Sequence, residues 1–320
     1  MSEIQSVSVI VPSRNNAESI AETLRSFLDD TVVREAIVVD HRSTDGTVQV
    51  ARDLGDPRVR VIEDDGRGIS RAMNIGLAAS TAPYVAKIDA DDLVPRGRFA
   101  WQADFLDRTS DVMAVCGAFE AIDDAGRQLE TFAATDAARD VTEEYLQQKR
   151  PTHFGAWLCR REGWEAVGGF REWFVTAEDI DMPFRLAHAG RISFEPRLSY
   201  SYRIRTGSIT RTQSNTLREF YENSAIEFAR QRLATGSDDL DRGTPPALPS
   251  SQSKNHTLAG SQAAGFLTGR AWREHHKGQR IRALRTMAQS VAAAPPRQRF
   301  RQIRGFLVML AKSAVPPREM

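Results

Sequence analysis

The chain has 320 residues, 41% hydrophobic and 27% charged, enough to bury a full core in one large domain or in a large domain with an appendage. Lysine plus arginine (43) nearly balance aspartate plus glutamate (42), and the net charge of +1 argues against nucleic acid as a partner. Two cysteines, Cys116 and Cys159, exclude a disulfide framework and fit a reducing compartment. No basic segment followed by a long apolar one opens the chain, and the late apolar run from Gly305 to Ala311 is too short to span a bilayer. The expected location is cytoplasmic.

Val7-Ser8-Val9-Ile10-Val11-Pro12 predicts a first strand stopped by proline. Ser13-Arg14-Asn15-Asn16 is its turn, with Asn16 as N-cap of a helix carrying Ile20, Leu24, Phe27 and Leu28. The arrangement then repeats: a strand over 36–40, a turn over 43–47 and a helix to Leu54. A strand over 59–62, a helix over 69–79 and a strand over 84–88 follow. Such alternation predicts an open, mostly parallel sheet with helices on both faces. Right-handed crossovers place every loop after a strand on one edge. The Ser13 to Asn16 turn, Asp40 and the cluster Asp89-Ala90-Asp91-Asp92 therefore share the rim where such sheets bind ligands.

Past a helix over 95–109 the pattern is mixed. Strands over 112–116 and 119–122 lead to a hairpin-type turn at Asp124-Ala125-Gly126. A helix over 142–149, an extended segment over 155–159, and a helix over 161–167 stopped by Gly168-Gly169 come next. Glu178 and Asp179 open a helix ending near Gly190, and short strands over 192–194 and 198–202 follow. The expected organisation is a catalytic-type domain over 1–212, with halves 1–110 and 111–212, then an amphipathic helix over 213–235. A linker or mobile loop over 236–256 and a basic helical region over 257–320 complete it.

Asp89 and Asp91, two residues apart at a strand end, can project the same way and converge on a hard divalent cation, Mn²⁺ or Mg²⁺, that also holds substrate phosphates. Asp92, followed by Pro95, can equally open the next helix.

In one order along the chain stand the opening strand, Val38-Val39-Asp40 with Ser43-Thr44-Asp45-Gly46-Thr47, Arg71 with Asn74-x-Gly76, Asp89-Ala90-Asp91-Asp92, and Glu178-Asp179. Over about Ser6 to Thr212 this resembles glycosyltransferase family 2, whose fold is GT-A, a Rossmann-like nucleotide-binding sheet. The resemblance implies a metal-dependent enzyme that moves one sugar from a nucleotide-diphosphate sugar to a hydroxyl of a glycan, lipid-linked or other cell-envelope acceptor, with inversion. By the same carry-over Asp40 meets the base or a sugar hydroxyl, and Pro12, Arg14 and Arg71 line the donor site. Asp89 approaches the ribose or sugar, Asp91 ligates the metal and Asp179 is the base. Glu178, His153, Trp157 and Trp173 fall on the acceptor side, and Arg203 or Arg205 closes over the diphosphate. Processive members carry Gln-x-x-Arg-Trp and transmembrane helices; neither is found here, which favours single addition.

The sequence departs from the family at His41-Arg42, where an acid or Asn and then Gly are common, and at Arg205, where a His often stands. Donor base and sugar stay open. One rival is a sugar-nucleotide pyrophosphorylase, which would carry a Gly-rich phosphate loop after the first strand. The other is a non-catalytic nucleotide-sugar-binding or scaffold protein, which has no need for both Asp91 and Asp179. In the C-terminal region Arg297, Arg301 and Arg304 share one helix face, and Phe300, Ile303, Leu307 and Leu310 another. Such a helix packs against the catalytic domain or a second subunit, or rests on the inner face of a membrane.

Overall fold

The computed structural model describes residues 5–132, 137–204, 215–249, 259–294 and 296–314. Its elements are β1 (Val7–Ser13), α1 (Ile20–Leu28), β2 (Val33–Asp40), α2 (Thr47–Arg52), β3 (Val59–Glu63), α3 (Ile69–Ala79), β4 (Tyr84–Lys87) and α4 (Arg98–Arg108). There follow β5 (Val112–Ile122), β6 (Gln128–Phe132), β7 (Arg139–Asp140), α5 (Thr142–Leu146), β8 (Leu158–Arg160), α6 (Arg161–Ala166), α7 (Glu178–Ala189) and β9 (Arg191–Arg203). Four helices end the chain: α8 (Asn215–Thr235), α9 (Ala259–His276), α10 (Arg280–Ala293) and α11 (Pro296–Ala314).

Two compact units divide the chain. The first holds Met1–Phe119, Phe132–Tyr202 and Leu217–Ser250, and the second Glu120–Thr131, Arg203–Thr216 and Ser251–Met320. One sheet, in the order β3-β2-β1-β4-β8-β5-β9-β7, organises the first unit. Its first four strands are parallel; β1 and β4 are buried along nearly their whole length, as strands covered on both faces are, whereas β3 at the sheet edge is only partly buried. Val7, Val9 and Val11 of β1 pack with Ile20, Leu24 and Phe27 of α1, while Ile10 points the other way, to Met73 and Leu77 of α3. Beyond β4 the sheet is mixed, since β8 runs antiparallel to both β4 and β5.

Helix α3 lies directly on β1 because position 76 has no side chain: a Cβ there would sit 2.3 Å from Ile10 Cγ2. The Asn74 side chain clamps a distant turn, donating to the Phe170 carbonyl and accepting from its N–H, both at 2.8 Å. Gly76→Ala is expected to cost about 1–3 kcal/mol by overpacking, read as a lower denaturation midpoint in urea with an unchanged slope.

Several boundaries differ from expectation for local reasons. Helix α1 starts at Ile20; Asn16 instead builds a turn, accepting through its carbonyl from the N–H groups of Ser19 and Ile20 and through its side chain from Ser13 and Arg14. Helix α4 starts at Arg98 after a left-handed Gly97, so Asp92 does not cap it. β5 and β9 are single strands where pairs of short ones were expected. Gly117 lets them approach, since a Cβ there would lie 2.5 Å from the Arg197 carbonyl. In the stretch read as a linker, Asp238 is fully buried and bonded to Arg171 and Arg232.

In the second unit, Asp123 closes the expected β5–β6 turn by accepting from the N–H groups of Ala125 and Arg127. Helices α9, α10 and α11 pack around Ala271, Ala283, Met287 and Met309.

Candidate active site

Strands β1, β2 and β3 finish level with one another, Ser13 beside Asp40 and Asp40 beside Glu63, while β4 ends with Lys87 beside Ile10. Their loops therefore share one edge, as the strand–helix alternation predicts. The first two are tied together. Asn15, in the left-handed region at φ 54°, donates its N–H to Ser43 Oγ (2.8 Å) and accepts from the Thr44 N–H (2.9 Å). Asp45 accepts from Ala17 and Thr47; burial alone would raise its carboxyl, but these bonds outweigh that and hold it below the usual range.

Asp40 ends β2 with 2% of its surface exposed. Its Oδ2 accepts from the Ser43 N–H at 2.9 Å, whereas Oδ1 is buried and has no hydrogen-bond partner. A buried carboxylate oxygen without a donor is costly, and a ligand N–H or O–H would relieve it. Next to it His41 pairs with buried Asp64 at 3.1 Å, and Arg42 adopts a left-handed φ of 54°. Gly takes this conformation at little cost, which suits the Gly common at that position, and Arg42 holds it despite its side chain. Pro12 is half-buried and Arg14 exposed at the same rim. Arg71, on the first turn of α3, bridges Asp65 (2.8 Å) and Glu172 (3.4 Å).

After β4 the acids lie in a turn, not on strand positions of alternating sides, with the Asp92 N–H donating to the Asp89 carbonyl at 3.2 Å. The convergence of Asp89 and Asp91 expected from strand alternation therefore does not apply. Instead the buried Tyr200 hydroxyl donates to Asp92 at 2.5 Å and lies 3.1 Å from Asp89 Oδ2. Lys87, 4% exposed, reaches Asp89 at 2.9 Å and Glu178 at 3.5 Å. Burial opposes charge on this lysine, but Asp89, Glu178 and Asp179 outweigh it and raise its pKa. Asp89 would likewise be raised by burial, yet the Lys87 ammonium holds it below the ordinary carboxylate value. Glu178 goes the other way, pushed by burial to about 7 although Lys87 pulls it down.

Glu178 and Asp179 form the first turn of α7, entered through Ala177 in the left-handed region at φ 65°. Asp179 is half-buried on the side of Lys87 and His153, whose titrations both respond to it. Two residues on, Asp181 is buried in an arginine cluster: Arg185 bonds it at 2.7 Å, with Arg171 at 3.9 Å and Arg232 at 3.8 Å. The same helix start thus carries one carboxylate toward the rim and one into a structural anchor.

His153 is stacked on Tyr200 (5.0 Å between centroids) and on Tyr202 (5.5 Å). Its Nδ1 accepts from the Gly155 N–H at 3.0 Å, which leaves Nε2 to carry the proton of the neutral ring. Burial lowers its pKa more than Asp179 and Asp89 raise it.

Four residues singled out by sequence need correction or lie out of view. Trp157 is 1% exposed, edge-on to Tyr145 and Phe154 in the core, so its ring cannot meet an acceptor. Trp173 is half-buried against Phe174, Phe220, Tyr221 and Phe228, which accounts for it as packing between α8 and the segment before α7. Arg203 is buried at 2% exposure and donates to the Asp124 carbonyl at 2.8 Å, unlike an exposed arginine that closes over a diphosphate. Arg205 lies outside the described residues. Sequence reasoning passed over Lys87, Tyr200 and Tyr202. A lone cation inside an apolar strand, and two tyrosines at strand spacing, were the available signals.

Among the described residues no three His, Cys, Asp or Glu side chains form a metal cage. A hard cation that arrives with phosphates needs only one or two carboxylates, and the acid turn carries oxygen donors of that kind in Asp91 and Asp89.

Residues 8–174 match the sequence model of glycosyl transferase family 2. The chain belongs to that family. A similar relative is the succinoglycan biosynthesis protein ExoO of Rhizobium meliloti, 30% identical across 65% of this chain and 64% of that protein. Another is ExoU, also named a succinoglycan biosynthesis protein of Rhizobium meliloti, 28% identical across 83% of this chain and 81% of its own. The chain thus spans just under two thirds of the first relative's length. A crystal structure of S. aureus TarS in complex with UDP-GlcNAc superposes with a TM-score of 0.58 at 18% identity, covering 96% of this chain and 89% of that one. The likeness establishes the fold, GT-A, with its mostly parallel sheet and following helices. No helix among the described residues is long and apolar enough to cross a membrane.

Proposed function

We propose that this chain is an inverting glycosyltransferase that moves a single sugar from a nucleotide-diphosphate sugar to an acceptor hydroxyl during assembly of an extracellular or cell-envelope polysaccharide. The observation that carries the reading is the unpaired, buried Oδ1 of Asp40 on the sheet edge that also bears the acid turn and the α7 carboxylates. Names of the relatives support the biosynthetic setting, and the UDP-GlcNAc held by TarS supports the donor class.

In this reading Asp40 accepts an N–H of the base, and the tied first and second loops fix the nucleoside without further ordering. Asp89, kept ionised by Lys87, accepts hydroxyls of the ribose or sugar. Asp91 would hold Mn²⁺ or Mg²⁺, which when bound offsets charge on the departing diphosphate. Asp179 takes the proton of the acceptor hydroxyl as that oxygen bonds to the anomeric carbon and the bond from that carbon to the diphosphate oxygen breaks on the opposite face. The neutral His153 offers its Nε2 proton on the acceptor side.

A panel of nucleotide-diphosphate sugars, titrated by calorimetry with and without Mn²⁺, tests this. Wild-type protein should bind one donor class in a metal-dependent way. Asp40→Ala should weaken binding roughly 10- to 100-fold, the loss expected for a charge-assisted hydrogen bond. Asp91→Asn should abolish the metal dependence. A protein that binds a donor but neither hydrolyses nor transfers it would point to the non-catalytic rival.

A further inference from the structure

Helix α11 has two apolar faces. One carries Met309, fully buried, with Phe306 packed toward Ala271, Ala283 and Met287. The other carries Phe300, Ile303, Leu307 and Leu310, which at this spacing form one stripe. These side chains face outward: Phe300 is 79% exposed, Leu307 57% and Leu310 45%. Arg299 and Arg304 are exposed on either flank of the stripe. From Arg280 to Ala314 the sequence has eight basic residues and no acidic one, whereas the chain as a whole is only +1, so the remainder is net negative. A row of large exposed apolar side chains on a monomer marks a contact surface.

We propose that this face of α11 docks on an anionic lipid surface, the apolar stripe entering the headgroup and acyl boundary and the arginines pairing with lipid phosphates. The charge pattern selects this occupant. A second copy meeting the same face about a two-fold axis would set arginine against arginine. Anionic lipid supplies opposite charge beside an apolar layer, which is what the stripe and its flanks require. The inference is independent of the transfer chemistry, because its residues lie in the second compact unit and not among those of the candidate site.

Co-sedimentation of the full chain with vesicles tests it. Equimolar phosphatidylglycerol and phosphatidylcholine should pellet the wild-type protein, phosphatidylcholine alone should not, and added salt should release it. Arg299→Glu with Arg304→Glu, and separately Phe300→Ser with Leu307→Ser, should each lower partitioning roughly 100-fold. All four positions are exposed, so circular dichroism and donor binding should stay as in the wild type and report that the variants fold. Equal pelleting of wild type and both variants would overturn the proposal. So would absence of binding to anionic vesicles, or a dimer in sedimentation that only the serine variant abolishes.

Discussion

Asp179→Asn is expected to lower the transfer rate by roughly 10²–10⁴-fold, the range for loss of a general base. Donor affinity should stay within about twofold, because the change keeps the side chain's shape and touches only the acceptor step. The geometry makes this variant unusually clean. Asp179 is held by the first turn of α7, and that turn is fixed from behind by Asp181 in its cluster with Arg185, Arg171 and Arg232. Substituting Asp179 leaves the anchor intact. Asp181→Asn, by contrast, should lower stability and disturb transfer only through the position of α7. Parallel measurement of donor binding, transfer rate and denaturation midpoint separates the two cases. If Asp179→Asn transferred at the wild-type rate, another group would have to be the base.

How far the sequence could be read depended on whether a feature was local. Strand and helix alternation through Lys87 follows from apolar runs and turn residues, and α3 was readable to the residue. The rim was readable too, because parallel topology alone sets Ser13, Asp40 and the acid turn on one edge. What escaped was set by pairs far apart in the chain. Asn16 looked like a cap until its side chain was seen to hold Ser13 and Arg14. Asp92 looked like a helix opener, but it is Tyr200, 108 positions later, that claims it. Trp157 and Trp173 have the composition of sugar platforms and the environment of core, and only burial distinguishes these uses. Arg203 shows the same for charge, since a strand-end arginine reads as exposed until its carbonyl partner is known.

Lys87→Met should cost about 3–5 kcal/mol at neutral pH and should show how the site keeps its carboxylates apart in protonation. The lysine lies between Asp89 at 2.9 Å and Glu178 at 3.5 Å, and removing it leaves two acids without their buried counter-charge. The sign of the pH effect follows from Glu178. Burial lifts its folded pKa from the ordinary 4.5 to about 7 even with Lys87 present, so its contribution to stability is full below about 4.5 and is lost as pH rises through about 7. Without Lys87 that carboxyl moves higher still, and Asp89 loses the partner that holds it low. The variant's deficit should therefore be small near pH 5, where the acids take up protons, and grow steadily toward pH 8. Glu178→Gln added to Lys87→Met should recover part of the loss near pH 8 and little near pH 5, as read from urea midpoints across that range. An equal deficit at both ends would assign the cost to altered packing around β4 and remove Lys87 from the electrostatics of the site.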